Sequence, residues 1–211
     1  MSSSDSQNLM ERPNTFSVKS IVNNAGIGLA LLLLILFFSV ASEHFLAPNN
    51  ITNILTQITI NLVLAVGMTF VILIGGIDLS VGSVMAFAAV IAGKAITLPG
   101  LGTTELILLA ILAGLTAGLV CGLINGVISA YWALPSFIIT LGMLNIARGA
   151  ALQVSGAQTI YSFPFEFEEF GSKMIFGVPF VFLLALTLVA IAWFVLNRTV
   201  FGRLIYAIGN N

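Results

Sequence analysis

The sequence predicts an all-α polytopic transmembrane bundle, and three observations carry that prediction. Of its 211 residues, 59% are hydrophobic and only 7% are charged. A soluble domain needs about 25% charged residues to face water, so a soluble globular fold is excluded. The mean hydropathy is +1.12, and the apolar residues fall into about six runs near the roughly 20 residues that cross a bilayer as a helix. Most of the 20 glycines lie inside those runs, as is common in membrane helices. A net charge of −1 and a pI near 5.7 leave no basic surface for nucleic acid. One cysteine, Cys121, permits neither an internal disulfide nor a cysteine metal cluster, and the lone His44 leaves little imidazole chemistry.

Residues 1–20 are polar and read as a disordered cytosolic tail. The transmembrane domain is expected over 21–196, beginning with a span at 21–42. Val40-Ala41-Ser42 resembles a signal-peptidase site. The apolar run is nevertheless longer than the 7–15 residues of a signal-peptide core, so it reads as an uncleaved anchor. A short loop holding Pro48 leads to a second span at 51–74, which stops at the pair Gly75-Gly76. Asp78 is expected to cap a third span at 79–96, with Ser80 in its first turn. Pro99, Gly100 and Gly102 turn the chain into a fourth span at 104–131, and Pro135 opens a fifth at 135–154. A polar, acidic stretch, 155–173, precedes a sixth span at 174–196. Residues 197–211 form a basic, amphipathic cytosolic tail.

Orientation follows from Lys and Arg in the loops. With the N-terminus inside, Arg12, Lys19, Arg198 and Arg203 are cytosolic and Lys173 is external. Lys94 and Arg148, near the outer ends of their spans, reduce that excess without reversing it. The sequence therefore predicts a cytosolic N-terminus.

Four features stand out within the spans. Gly114, Gly118, Gly122 and Gly126 recur every fourth residue and share one helix face. Such a ridge reads first as close helix packing and second as a backbone-lined solute path. Asn53, Gln57 and Asn61 form a polar row running about 12 Å along one face of the second span. Amides facing lipid go unpaired, so the row bonds other helices or lines a polar path. The segment Gly75-Gly76-Ile77-Asp78-Leu79-Ser80-Val81-Gly82-Ser83 places an aspartate at membrane depth, which costs about 3 kcal/mol on insertion scales. Asp78 there satisfies backbone N–H groups at a helix start, or marks a broken-helix hinge beside a substrate path. The two readings are compatible. Arg148 snorkels to the surface, pairs with a carboxylate or faces a polar cavity. Glu166, Glu168 and Glu169 read as a solvated outer loop, His44 as a loop residue and Cys121 as a small apolar filler. No H-E-x-x-H, P-loop, G-x-S-x-G or metal-ligand cluster is present. The chain is thus expected to be a non-enzyme without a cofactor or metal, unable to hydrolyse ATP by itself.

At GGIDLSVGS the sequence resembles the ribose/xylose/arabinose-type permeases of bacterial ATP-binding-cassette importers. Further resemblance lies in Phe45–Leu55 (FLAPNNITNIL), Leu64–Leu73 (LAVGMTFVIL), Pro135–Met143 (PSFIITLGM), Ile146–Gly149 (IARG) and Thr199–Asn210 (TVFGRLIYAIGN). The resemblance implies an inner-membrane permease for a monosaccharide that pairs with a second copy or a sister permease. It also implies a cytosolic ATPase subunit that drives transport and a periplasmic sugar-binding protein that chooses the solute. Gly75, Gly76, Asp78 and Ser80 would then lie near the translocation path, with Asn53, Gln57, Asn61 and Arg148 as further candidates. The outer loops, 155–173 among them, would face the binding protein, while Arg198 and Arg203 lie toward the ATPase. In that family the Phe-Gly-Arg…Gly-Asn segment continues into the ATPase-contacting stretch and further spans. The expectation is therefore a truncated permease, inactive alone. An ion-coupled secondary transporter and a non-transporting membrane protein are the alternatives.

Overall fold

A computed structural model describes residues 18–161 and 163–209, with side chains from residue 26 onward. Among the described residues are eight helices and one short hairpin: α1 (Val18–Ala41), α2 (Pro48–Leu73), α3 (Val81–Ile96), α4 (Thr103–Tyr131), α5 (Ser136–Ser155), α6 (Phe165–Ser172), β1 (Met174–Ile175), β2 (Val178–Pro179), α7 (Phe180–Arg198) and α8 (Val200–Gly209). The expected tail through residue 17, with Arg12, lies outside the described residues, as do the Lys19 side chain, Asn210 and Asn211.

The chain forms two compact units, which divide after Ile51. In the first, α1 ends in a tight turn where Phe45 stacks on Phe38, ring centroids 5.7 Å apart. Asn50 Nδ2 donates to the Phe45 carbonyl at 2.7 Å.

The second unit is organised around α3, which packs on α4 and α5. The contacts mix small and large side chains: Ala95, Ile96 and Ala110 form one buried cluster, and Cys121, Met143 and Ala147 another. Small residues let helix backbones approach where no hydrophobic force drives association. Among the described residues, four helices, α2, α4, α5 and α7, are long and apolar enough to cross a membrane. Their apolar faces remain largely exposed: Leu115, Leu119 and Leu123 on α4 are 68%, 70% and 62% accessible. This is a bundle built for lipid or neighbouring helices.

Three sequence expectations are corrected. The third helix starts at Val81, not 79, because Asp78 and Ser80 bond each other in irregular backbone. At 16 residues α3 is about 24 Å long, so non-helical chain supplies the rest of that passage. Residues 174–179 are a hairpin rather than the start of the sixth span. Phe176 and Gly177 both have positive φ, 52° and 79°, as a two-residue type I′ turn requires, and α7 follows from Pro179. Finally, the stretch 155–173, read from the sequence as a loop, and the amphipathic terminal tail both carry helices. The first contains α6, and the second contains α8, whose start is capped by Thr199 Oγ1 accepting the Gly202 N–H at 3.3 Å.

Candidate functional site

The site grows from the way α2 ends. Gly75 has φ +78°, which favours glycine. Its N–H donates to the Ile72 carbonyl and that of Gly76 to the Val71 carbonyl, both at 2.9 Å, a Schellman closure. A Cβ on Gly76 would lie 3.0 Å from Val71 Cγ1, 3.1 Å from the Val71 carbonyl oxygen and 3.3 Å from Ser136 Oγ. The first glycine supplies the conformation and the second the close approach.

Beyond this turn the chain runs irregularly to Ser80, and irregular backbone at membrane depth must find its hydrogen bonds within the protein. Here α5 supplies them. Ile77 N–H donates to Ser136 Oγ at 2.9 Å, and Leu79 N–H donates to Thr140 Oγ1 at 3.0 Å. The Thr140 hydroxyl has the Ile77 carbonyl at 3.2 Å and the Phe137 carbonyl at 3.3 Å as acceptors. Ser136 and Thr140 stand four residues apart, on one face of the first turns of α5. Together they staple the break.

Asp78 and Ser80 turn toward α4. Asp78 Oδ1 accepts the Ser80 N–H at 2.7 Å and the Ser80 hydroxyl at 2.6 Å. Ser80 is fully buried, and its Oγ accepts a hydrogen bond from Asn125 Nδ2 at 3.0 Å. Asn125 Oδ1 is buried with no partner among the described residues; leaving such an acceptor unpaired costs about 1–3 kcal/mol. These three residues line a cleft of about 250 Å³ with Gly118 and Gly122 on one side and Met85, Val84 and Leu64 on others.

The remaining sequence candidates lie elsewhere or play different parts. On the glycine face, a Cβ at Gly114 would meet Ala92 Cβ at 3.3 Å and the Ala88 carbonyl oxygen at 3.4 Å, so α4 touches α3 there. At Gly118, Gly122 and Gly126 nothing described lies within 4 Å; two of these border the cleft instead. Asn53, Gln57 and Asn61 are exposed on α2, which buries no residue. Arg148 is exposed beside a separate cleft of about 180 Å³ between α3 and α5. Arg198 and Arg203 are exposed on α7 and α8.

Three residues of the site escape the sequence reading: Asn125, Ser136 and Thr140. Asn125 carries a signal, lying seven residues after Gly118 and hence on the glycine face. The i, i+4 hydroxyls at the start of α5 carry a weaker one, since such groups often bond their own helix.

Comparison with known proteins gives one family over most of the chain. Residues 50–211 match the family described as "Branched-chain amino acid transport system / permease component". The D-allose transport system permease protein of Escherichia coli (strain K12) is 36% identical over 85% of this chain and 54% of its own length. The ribose import permease protein of Bacillus subtilis (strain 168) is 39% identical over 90% of this chain and 58% of its own. The L-arabinose ABC transporter permease protein of Azospirillum brasilense is 34% identical over 92% and 56%. The chain thus spans somewhat more than half the length of these relatives. No solved structure matches it.

Proposed function

The chain belongs to the branched-chain amino acid transport system / permease component family, and from that premise we propose that it serves as the membrane-spanning permease subunit of an ATP-driven monosaccharide importer. The observation that carries the solute class is the set of relatives, named for allose, ribose and arabinose, at 34–39% identity over nearly the whole chain. The family description names a different solute.

In this reading the site is the stapled break. A transporter needs backbone that departs from the helix at membrane depth yet keeps its polar groups satisfied. The segment from Gly75 to Ser80 meets that demand through Ser136 and Thr140, and it borders a mostly apolar cleft into which Asp78, Ser80 and Asn125 bring polar groups. Solute passes beside Gly75, Gly76, Asp78 and Ser80, and the exposed amides of Asn53, Gln57 and Asn61 face the same water-filled route or a neighbouring helix. Arg148 snorkels to the outer surface. Energy comes from a separate cytosolic ATPase subunit, solute from a periplasmic binding protein that docks on the outer segments around 155–173, and the path is completed by a second copy or sister permease. The subunit sits in the bacterial inner membrane with its N-terminus in the cytosol. Residues 21–196 form the transmembrane domain and 197–211 lie toward the ATPase. The positive-inside count supports that orientation.

The test is uptake of labelled D-ribose, D-allose and L-arabinose in the host strain and its deletion mutant, with co-purification of the tagged chain. Expected are uptake that vanishes in the mutant, sensitivity to ATP depletion rather than to proton uncoupling, and recovery of an ATPase and a sugar-binding protein with the tag. Uptake that follows the ion gradient and is abolished by Asp78→Asn would instead establish the secondary-transporter reading. Labelling from outside of a cysteine placed at Arg203 would overturn the orientation.

A further inference from the structure

The Asn125 side chain does more than brace Ser80. Ser80 gives its only hydroxyl proton to Asp78 Oδ1 at 2.6 Å, so toward Asn125 it can only accept. That fixes the amide orientation: the NH₂ group faces Ser80 at 3.0 Å, and the carbonyl Oδ1 is the atom left over. Asn125 is 8% exposed, so bulk water does not readily reach this acceptor. Its neighbours along the face, Gly118 and Gly122, have nothing described within 4 Å of an added Cβ. They form one wall of the same cleft as Asn125, Asp78 and Ser80. At about 250 Å³ the cleft equals the liquid volume of about eight waters, room for a compact solute.

The few polar groups in this mostly apolar cleft have a definite sense. Asp78 and Asn125 offer acceptors, and among the described residues no Lys or Arg lines the cleft. A solute must therefore bring hydrogen-bond donors. A polyol does so at every carbon, whereas the carboxylate of a free amino acid would meet acceptors with no cation to balance it. We propose that Asn125 contacts the transported solute, its Oδ1 accepting a hydrogen bond from a hydroxyl of a neutral polyhydroxylated molecule moving along the bare glycine face of α4. This inference rests on the transport reading and adds the class of solute and the residue that reads it.

The test has two readouts in the host membrane. The first compares Asn125→Leu, similar in size but without polar atoms, with the wild-type chain. The probes are whichever of D-ribose, D-allose or L-arabinose the strain takes up, and its mono-deoxy forms. The binding protein is the same in both strains, so its own preference cancels in the ratio. Uptake of the parent sugar should fall about tenfold, and that of one deoxy form by clearly less, moving their ratio toward one. The second readout is aqueous thiol labelling of Gly118→Cys in a Cys121→Ser background, which the parent sugar should slow several-fold. If Asn125→Leu does not accumulate in the membrane, this protection alone decides. Unaltered uptake and ratios in Asn125→Leu, or labelling that sugar never slows, would overturn the proposal while leaving wild-type sugar uptake intact. Absence of uptake of all three sugars by the wild-type strain would overturn the transport reading itself.

Discussion

Replacing Thr140 by valine isolates the staple. Valine keeps the branched shape of a residue only 3% exposed, so no cavity is created and the change is confined to hydrogen bonding. The Leu79 N–H, 3.0 Å from the hydroxyl in a part-buried bond, loses its acceptor, and an unpaired donor away from water costs about 1–3 kcal/mol. The Ile77 carbonyl loses a donor, but at 3.2 Å, with the Phe137 carbonyl competing for the same proton, that adds at most about 0.5 kcal/mol. Interhelical hydrogen bonds in membrane proteins average about 0.6 and reach about 1.7 kcal/mol, which pulls the expected loss toward the lower half of the range. Thr140→Val should therefore destabilise by about 1–3 kcal/mol, and Thr140→Ser, which keeps the hydroxyl, by less than about 1 kcal/mol. Ser136→Ala should cost less than Thr140→Val, because Ser136 Oγ serves one backbone group of the break and Thr140 Oγ1 serves two. Equilibrium unfolding of the purified chain from mixed micelles measures all three. A loss below about 0.5 kcal/mol for Thr140→Val, or a larger loss for Ser136→Ala, would refute the claim that α5 carries the break.

Other substitutions probe the same architecture. Gly76→Ala puts a methyl 3.0 Å from Val71 Cγ1 and should destabilise by about 1–3 kcal/mol. Gly82→Ala, with open space around it, should be neutral or stabilising by up to about 1 kcal/mol; the same unfolding measurement separates them. On α4, Gly114→Ala should push against Ala92 and lower stability. Gly118→Ala should leave stability unchanged or raised yet reduce the uptake rate, so comparing unfolding with transport assigns each glycine to packing or to the cleft. Asp78→Ala removes the acceptor of two short hydrogen bonds from Ser80 and should lower membrane accumulation or gating more than sugar preference. A switched sugar profile at wild-type abundance would contradict that.

Much of this fold is legible in composition and periodicity, because a bilayer forces long apolar helices and leaves few alternatives. The limits appear where tertiary contacts decide. The sixth apolar run begins on paper at residue 174, yet the chain turns at Phe176-Gly177 before α7, since backbone φ outranks hydropathy over so short a stretch. The helix after Asp78 starts two residues late because Asp78 and Ser80 bond each other rather than the next turn.

The glycine ridge is the most instructive case. Four-residue spacing states that Gly114, Gly118, Gly122 and Gly126 share a face, but not what the face meets. In the structure α3 touches α4 at Gly114, whereas nothing described lies within 4 Å of a Cβ at Gly118. Bare backbone without a packed neighbour is unusual in a helix, where each glycine costs up to about 1 kcal/mol relative to alanine. Among the described residues nothing packs against a Cβ at Gly118 or Gly122. What does distinguish the two positions is that both border the cleft that holds Asp78, Ser80 and the unpaired Asn125 oxygen. Packing is explained by touching neighbours, and a path by keeping them away. In the transport reading proposed above, the same residue type on α4 does the first at one end of the ridge and the second in its middle.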